Sequence, residues 1–571
     1  LNEKSANQAI HLLFEEDCSI PFVARYRKEQ TGLMDEVSLR LLRDKYAYLK
    51  ELEGIKERYI KVITEHSKAK PELQKQLPIL LSKIEKTETK QELEDIYLPF
   101  KPKRVTKAQK YRKKGIEPLV DLILSSFEEQ SSLAQIFEKF QSTKTDKASE
   151  ELSQEESFEG AMYILSERLS ENSDAKKDVR EVSLQTGLLE ASPRQEKDAI
   201  KNEKERKLYE KYENYFSYCE PLLKAVSHRV MALRRGESEK VLRLKISVDK
   251  ELIIENLYKK MASGHSFHSE VEEWLKSCAK DAYTRLIGPS IETELRLDLK
   301  KKAEEDAIYV FSQNLEKLLM LPIIPEQVVM GIDPGIRTGS KIAVISKTGK
   351  LLAYTTVYPN LKDASATSTQ ESMKTIHTLL DKYNVSHISI GNGTGGRDIE
   401  KLVKSLLQKE KLTKKIRQVL VNESGASVYS IEPIAIEEFP DLDPTIRSAV
   451  SIARRLQDPL AELVKIEPRS IGVGQYQHDC NALKLNDSLK DVVESCVNKV
   501  GVNLNTSSYK LLSYVSGLGS SLAKKITEHR NEHGSFKSRD DLLKVSGFGE
   551  KTFLQSAGFL RVPGSSNLLD N

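Results

Sequence analysis

The stretch VVMGIDPGIRTGS, residues 328–340, decides the fold of the middle of this sequence. Apolar and small residues lead directly to Asp333, and Pro334 with Gly335 then ends the run, because proline cannot continue a strand ladder. The pattern predicts a buried strand that carries a carboxylate at its end. Two interpretations follow: Asp333 caps the turn by bonding to its own backbone, or the strand holds a carboxylate at a sheet edge for chemistry or metal binding.

Further short runs rich in β-forming residues surround this strand. They are KIAVIS (341–346), LLAYTTVY (351–358), HISIGN (387–392) and RQVLVNE (417–423), with KTGK as a hairpin turn between the first two. Helical patterns separate the later runs, at about 370–383 and 396–408, and continue from about 444 to 466. Three meandering strands followed by alternating helix and strand predict a mixed α/β sheet.

The rest of the sequence indicates a mainly α-helical, multidomain protein. Residues 1 to about 320 are expected to be almost entirely helical, ending in a long helix over 292–321 that Pro322 terminates. A chain of 571 residues is too long for one core. We expect four domains: an N-terminal helical domain (1–180), a central helical region with the long helix (181–325), the α/β domain (326–466) and a helical domain (467–565).

Composition and charge exclude several classes of protein. The net charge is only +4, so an argument for nucleic acid must rest on local patches. No run of eighteen apolar residues is present, and the first apolar stretch contains acids, unlike a secretory signal. The five cysteines form no C-x-x-C pair, which favours reduced thiols and a cytoplasmic protein without membrane contact.

Carboxylates at strand and helix ends predict a cation site. Asp333 and Glu423 each follow a predicted strand, Asn392 follows the strand between them, and Asp458 precedes Pro459 at a helix start. Functional sites in open sheets form at the carboxyl ends of parallel strands. We therefore expect Asp333, Glu423 and Asp458 to face one cleft with Asn392 on its rim, and to bind Mg²⁺ or Mn²⁺ weakly. The alternative is that each acid is a turn or helix cap.

Two glycine-containing hairpins predict phosphate binding. YVSGLGSSLAKK (514–525) and KVSGFGEKTFLQ (544–555) share one plan, in which Gly-x-Gly precedes a helix, and the two glycine pairs are thirty residues apart. Glycine lets the backbone approach a phosphate, and the N–H groups at a helix start bind the anion. The candidate nucleic-acid contacts are Gly517, Gly519, Lys524, Lys525, Gly547, Gly549 and Lys551. The alternative is a pair of ordinary helix connections.

A basic stretch is a further candidate contact. FKPKRVTKAQKYRKKG, 100–115, contains eight Lys or Arg and no acid, and Tyr111 is an aromatic that can stack on a base. We include Lys101, Lys103 and Arg104 among the candidate nucleic-acid contacts; the alternative is a solvated charged surface.

These motifs resemble the Tex family of bacterial transcription accessory proteins. The resemblance rests on GIDPGIRTGSK, GNGTGGRD, VNESGASVYS, EFPDLD, SIARRLQDPLAELVKI and IGVGQYQHD, with IYLPFKPKR and SHRVMALRRGE outside the α/β region. It implies a YqgF/RuvC-like, ribonuclease-H-like domain and a tandem helix-hairpin-helix domain. It also implies that Asp333, Glu423 and Asp458 occupy the acidic positions of YqgF-type nucleases, with Asn392 where RuvC resolvases have an acid. The family normally continues into a C-terminal OB-fold RNA-binding domain, which we do not expect within these 571 residues.

We therefore expect a nucleic-acid-binding transcription accessory protein that holds the phosphate backbone with little regard to sequence and requires no cofactor for binding. Its expected partners are RNA or DNA and the transcription machinery. The alternatives are a metal-dependent nuclease or junction resolvase and a purely structural scaffold. An actin-like or sugar-kinase-like ATPase also uses an Asp-x-Gly strand end, but no later glycine-rich adenine pocket is present.

Overall fold

The computed structural model describes residues 2–68, 71–100, 106–143, 152–195, 202–335, 337–359 and 366–570. The chain divides into two compact units, one of Leu1–Asp44 with Asp306–Asn571 and the other of Lys45–Glu305. Residues 1–44 thus belong to the same unit as the C-terminal half, whereas we expected them to form one domain with residues 45–180. Among the described residues no helix is both long and apolar enough to cross a membrane.

The first third of the chain is helical, as predicted. Its helices start at side-chain caps such as Asn2, Ser19 and Thr89, whose oxygens accept from backbone N–H groups that the helix leaves unpaired. The helices are α1 (Glu3–Phe14), α2 (Ile20–Tyr26), α3 (Glu36–Lys68), α4 (Pro71–Lys86), α5 (Lys90–Tyr97), α6 (Lys107–Lys113), α7 (Glu117–Ser125), α8 (Leu133–Thr143), α9 (Gln154–Glu171) and α10 (Ser173–Thr186).

A small antiparallel sheet interrupts the region that we expected to be helical up to about residue 320. The elements are β1 (Leu188–Pro193), α11 (Glu203–Lys211), β2 (Tyr218–Pro221), α12 (Ser227–Ser238), β3 (Leu242–Ser247), α13 (Lys250–Ala262), α14 (Ser269–Asp281) and α15 (Gly288–Leu319). The strand order is β2-β1-β3. In β3, Leu242, Leu244 and Ile246 are buried while Arg243 and Lys245 are exposed. This alternation has the period of a strand, so the sequence did contain the signal.

The middle of the chain forms the predicted mixed sheet. Its elements are β4 (Val329–Asp333), β5 (Ser340–Ile345), β6 (Leu351–Val357), α16 (Thr367–Lys382), β7 (His387–Gly391), α17 (Gly396–Lys409), β8 (Arg417–Val421), α18 (Ala426–Tyr429), α19 (Pro433–Glu438), α20 (Pro444–Gln457) and α21 (Pro459–Leu463). The strand order is β6-β5-β4-β7-β8, in which β4, β7 and β8 are parallel and β5 is antiparallel to both neighbours. The expected ribonuclease-H-like fold class is confirmed.

Helices cover both faces of this sheet. Met330, Ile332 and Ile388 pack with α16 and α17 on one face, whereas Val329 and Ala343 pack with α20 on the other. The helix α20 crosses β4 so closely that a Cβ atom on Gly331 would overlap its backbone. A glycine within this buried strand is therefore required by the approach of another backbone.

The C-terminal region contains the two predicted hairpins. Its elements are α22 (Ala482–Val500), β9 (Val502–Asn503), α23 (Tyr509–Leu512), α24 (Ser520–His533), α25 (Glu550–Ser556) and β10 (Leu560–Arg561), and β9 pairs with β10 in parallel. The N-terminal helix α2 packs against this region. The Tyr26 hydroxyl donates to the carbonyl of Gly558 at 3.0 Å, and the hydroxyls of Ser19 and Ser516 share a hydrogen bond.

Candidate functional site

Two of the three predicted acids lie together at the carboxyl edge of the sheet. Asp333 ends β4, and Glu423 follows β8 by two residues. The Glu423 side chain lies over the loop after β7, since a Cβ atom built on Gly391 or Gly393 would overlap its carboxylate. Asn392 is exposed on the rim, where its Oδ1 accepts from the Glu423 backbone N–H at 3.2 Å. The glycines of this loop thus make room for a carboxylate.

The surroundings of Asp333 raise the pKa of its carboxyl group. Burial raises the pKa of Asp333 from its usual 3.8 to about 6, and repulsion by Glu423 adds to the rise. The opposing attraction comes from Lys341 and Arg455, which face the pair. No backbone N–H of the described residues donates to the Asp333 carboxylate, as the turn-cap interpretation would require. This carboxylate is therefore held in a partly dehydrated cleft beside a second negative charge, where ionisation is costly.

Arg455 supports Glu423 from beneath the sheet edge. It lies on α20, is only 4% exposed, and donates from one guanidinium nitrogen, Nη1, to the carbonyls of Asn422 at 2.6 Å and Ser424 at 2.9 Å. These two residues flank Glu423, so the guanidinium fixes the backbone that carries this acid. Burial lowers the pKa of Arg455 to about 10 against the attraction of the nearby carboxylates, chiefly Glu462.

The structure places the third predicted acid elsewhere. Asp458 is exposed at the C-terminal end of α20, where its Oδ1 accepts from the Ala461 N–H at 2.9 Å and caps α21. The preceding Gln457 donates to the carbonyls of Gln327 and Ser346, which lie at the start of β4 and the end of β5. Asp458 is therefore at the opposite edge of the sheet from Asp333 and has the helix-cap role that we considered as its alternative.

Sequence reasoning missed two charged residues at the correct edge. Asp443 caps the first turn of α20 by accepting from the Thr445 N–H at 2.9 Å, and it interacts electrostatically with Lys341. Lys341 is the cross-strand partner of Asp333, and its ammonium donates to the carbonyls of Thr338 and Gly339. The signal for Lys341 was present in the strand register, because partners across an antiparallel pair share a face.

The cleft fits one hard cation better than two. Within the described residues no group of three or more acidic, His or Cys side chains is arranged to hold a metal ion. The Glu423 Oε2 atom is buried and has no hydrogen-bond partner among them, so it is an unused ligand beside Asp333. Mg²⁺ needs as few as one or two carboxylates and retains several waters. Asp333 and Glu423 could therefore hold a single Mg²⁺ or Mn²⁺ ion, and the described residues place no third carboxylate with them for a two-metal site.

The two hairpins have the same backbone conformation. Gly517 and Gly547 adopt φ values of +76° and +85°, in the left-handed region that glycine accepts most readily. Gly519 and Gly549 precede α24 and α25 with φ values of −94° and −98°. A Cβ atom on either of these second glycines would meet no atom within 4 Å. The first glycine of each pair therefore makes the turn, and the second leaves an open approach to the helix start.

The candidate lysines are exposed, but they have different surroundings. Lys524 lies over the Tyr509 ring at 5.3 Å from its centroid. Lys525 extends toward the other hairpin, with Nζ 3.2 Å from the position of a Cβ on Gly547. Lys551 lies close enough to Cys18 to oppose the rise in the pKa of this thiol that burial causes.

The structure describes only part of the basic stretch 100–115. Lys101, Lys103 and Arg104 lie outside the described residues. The Tyr111 ring is packed against Gly160 and tilted against Tyr163, at 6.1 Å between centroids. This ring is therefore partly buried and packs against the core of the surrounding helices.

Comparison with known proteins identifies the family. The sequence matches the Tex-like protein N-terminal domain over residues 1–64, the Tex central region over 134–311, the Tex protein YqgF-like domain over 327–457 and the helix-hairpin-helix motif over 497–561. Protein tex of Bordetella pertussis is 42% identical over 98% of this chain and 69% of its own length. Transcriptional accessory protein Tex of Neisseria gonorrhoeae is 39% identical over 99% and 71%, and the uncharacterized protein YdcI of Bacillus subtilis is 42% identical over 100% and 76%. The chain belongs to the Tex family.

Proposed function

We propose that this protein binds nucleic acid through its phosphate backbone and thereby assists transcription. The observation that carries the proposal is the pair of hairpins with matching backbone angles, each with an open second glycine. The name of the Neisseria gonorrhoeae relative, a transcriptional accessory protein, supports the link to transcription and makes the transcription machinery the expected protein partner.

The hairpins suit phosphate because of their backbone, and this also limits what they can recognise. Ser520 and Ser521 present N–H groups at the start of α24, a helix of 14 residues whose dipole favours an anion there. The Gly519 N-cap contributes no side-chain bond that would occupy these donors. Contacts of this kind fix the position of a strand but do not distinguish bases. RNA and DNA should therefore both bind, and no metal or other cofactor is needed for binding.

The proposal is tested by electrophoretic shifts with single-stranded and duplex DNA and RNA, each with Mg²⁺, Mn²⁺ or EDTA. We expect binding to all sequences alike, unaffected by EDTA. The variant Lys524→Ala with Lys525→Ala should bind more weakly and with a shallower salt dependence. The matched control is Lys414→Ala with Lys415→Ala, which removes a second pair of adjacent, exposed lysines outside the hairpins. An unchanged affinity and salt slope in the hairpin variant would contradict the proposal, and an absence of any binding would favour a scaffold role.

A metal-dependent nuclease is the second candidate function, favoured by the buried, unpartnered Glu423 Oε2 beside Asp333. A bound Mg²⁺ or Mn²⁺ would polarise a phosphodiester and activate water. Asp333 and Glu423 would hold the ion, while Arg455 keeps the Glu423 backbone in place. With two carboxylates facing two basic side chains, we expect any cleavage to be slow. Asp333→Asn should abolish it, because the amide keeps the shape of the side chain without its charge; cleavage that survives would belong to another site.

A further inference from the structure

The two hairpins pack against each other in a reciprocal arrangement. In each, the residue eight positions after the first glycine contacts the first glycine of the other hairpin. Gln555 lies against Gly517, with 2.9 Å between its Cβ and a Cβ built on that glycine. Lys525 lies against Gly547, with 3.2 Å between its Nζ and a Cβ built there. The repeated sequence thus forms a pseudo-symmetric pair in which Gln555 and Lys525 are equivalent.

The equivalent positions differ in what covers them. Gln555 is buried, accepts from the Ser19 N–H and donates to the Asp17 carbonyl, both at 3.4 Å. Ser516, beside Gly517, is also buried and bonds to Ser19. The N-terminal turn of the chain therefore covers Gln555 and Ser516 in this half of the pair, whereas Gly517 itself is exposed.

The other half is open. Lys525, Ser546 and Gly547 are all exposed, and the Lys525 ammonium makes no ion pair with any described residue. In the first half, the Gln555 amide bonds to the N-terminal turn of the chain. At the equivalent position of the second half, the Lys525 ammonium lies beside the exposed backbone of Gly547. The charge of Lys525 favours an occupant that supplies anionic acceptors.

We propose that Lys525, although it lies on the helix of the first hairpin, contacts a phosphodiester held at the second hairpin, residues 546–549. This assignment rests on the proposed nucleic-acid binding and makes the two hairpins functionally unequal. Lysine acts on phosphate as a point charge and needs no fixed fork geometry. Lys524, its neighbour, lies over the Tyr509 ring, and none of its atoms is within 4 Å of a Cβ built on Gly547, so it is the matched control.

The test combines Lys525→Gln with a blocked approach at each hairpin. Gln is the residue that the equivalent position carries, so this variant removes the charge and retains an observed side chain. Gly549→Ala and Gly519→Ala each add a methyl group where no atom lies within 4 Å, at φ values that alanine accepts. Affinity for one fluorescent duplex is measured by anisotropy as a function of salt, with melting temperatures to check folding. Lys524→Gln is carried through the same series.

Lys525→Gln should lower the salt slope by about 0.9 for duplex DNA, as expected for one lost phosphate contact. The loss of affinity caused by Lys525→Gln should largely disappear in the Gly549→Ala background and persist in full in the Gly519→Ala background. The reason is that Lys525 and Gly549 contact the same phosphate, whereas Gly519 lies at the other hairpin. If the effect of Lys525→Gln on affinity persists in both backgrounds, or disappears only with Gly519→Ala, the assignment is overturned while the proposed function remains intact. Unchanged affinity in Lys525→Gln, Gly549→Ala and Gly519→Ala alike would overturn both the assignment and the proposed function. Lys524→Gln should not couple to Gly549→Ala, and equal coupling would also overturn the assignment.

Discussion

Asp333→Asn should stabilise the fold, because the protein holds this carboxylate at an energetic cost. Burial and the neighbouring Glu423 raise its pKa from 3.8 to about 6. At 1.36 kcal/mol for each tenfold change in proton affinity, this corresponds to a loss of up to about 3 kcal/mol in the free energy of unfolding when Asp333 is ionised. An amide of the same shape removes both the charge and the repulsion.

The gain should depend on pH in a defined direction. Above pH 6 the folded wild-type protein carries the ionised carboxylate and the full penalty. As the pH falls from 6 toward 4, the folded state takes up its proton before the unfolded state does, so the penalty shrinks. The stability difference between Asp333→Asn and wild type should therefore be largest above pH 6 and small near pH 4.

Native-state hydrogen exchange of the β4 amides, measured as a function of urea concentration at pH 7.5 and near pH 4, gives the local free energy of unfolding. Asp443→Asn is the matched control, since Asp443 lies at the same edge but is exposed, and hydrogen bonds to Thr445 lower its pKa. Asn is an equally good helix cap, so this variant should show no gain in stability. If Asp333→Asn is no more stable than wild type at pH 7.5, Asp333 is an ordinary turn residue and the strained-site interpretation fails.

Two further changes test the cleft and the hairpins. Arg455→Lys keeps a cation but loses the bridge between the carbonyls that flank Glu423, so the Mn²⁺ affinity measured by electron paramagnetic resonance should fall about 10-fold or more. The control is Arg454→Lys, which disturbs the bonds of a neighbouring arginine to the Gly349 carbonyl and to Glu438 and should leave the Mn²⁺ affinity unchanged. Equal effects of the two changes would remove the special role of Arg455. Gly517→Ala should lower the free energy of unfolding in urea by about 1–2 kcal/mol because alanine is strained at φ +76°. Gly519→Ala should fold normally but bind nucleic acid more weakly. A destabilised Gly519→Ala beside a fully stable Gly517→Ala would show that the hairpin geometry is misassigned.

The sequence predicted the parts of the site that depend on strands. Asp333 and Glu423 end or follow parallel strands, and the carboxyl ends of parallel strands share an edge, so strand reasoning brought these two acids together. No such rule applies to Asp458. An aspartate before proline has the same local pattern whether it caps a helix or binds a ligand, and only the direction of α20 across the sheet shows which edge it occupies.

Two other features needed tertiary structure. The Gly-x-Gly pattern predicted both hairpins, but it did not indicate which glycine has positive φ or that Lys525 lies against the opposite hairpin. Arg455 occurs in a run of polar and apolar residues that resembles any amphipathic helix. Its burial and its two carbonyl partners depend on how close α20 lies to the loop after β8.

The salt dependence of binding to two oligonucleotides of unrelated sequence tests the central claim most directly. The wild-type protein should bind both with the same affinity and the same salt slope, because the hairpins contact phosphates alone. The variant with Gly519→Ala and Gly549→Ala together should weaken both equally and lower the slope by about one for each phosphate lost. A preference of the wild type for one sequence, or a double glycine variant that binds as tightly and with the same slope, would contradict phosphate binding by the paired hairpins.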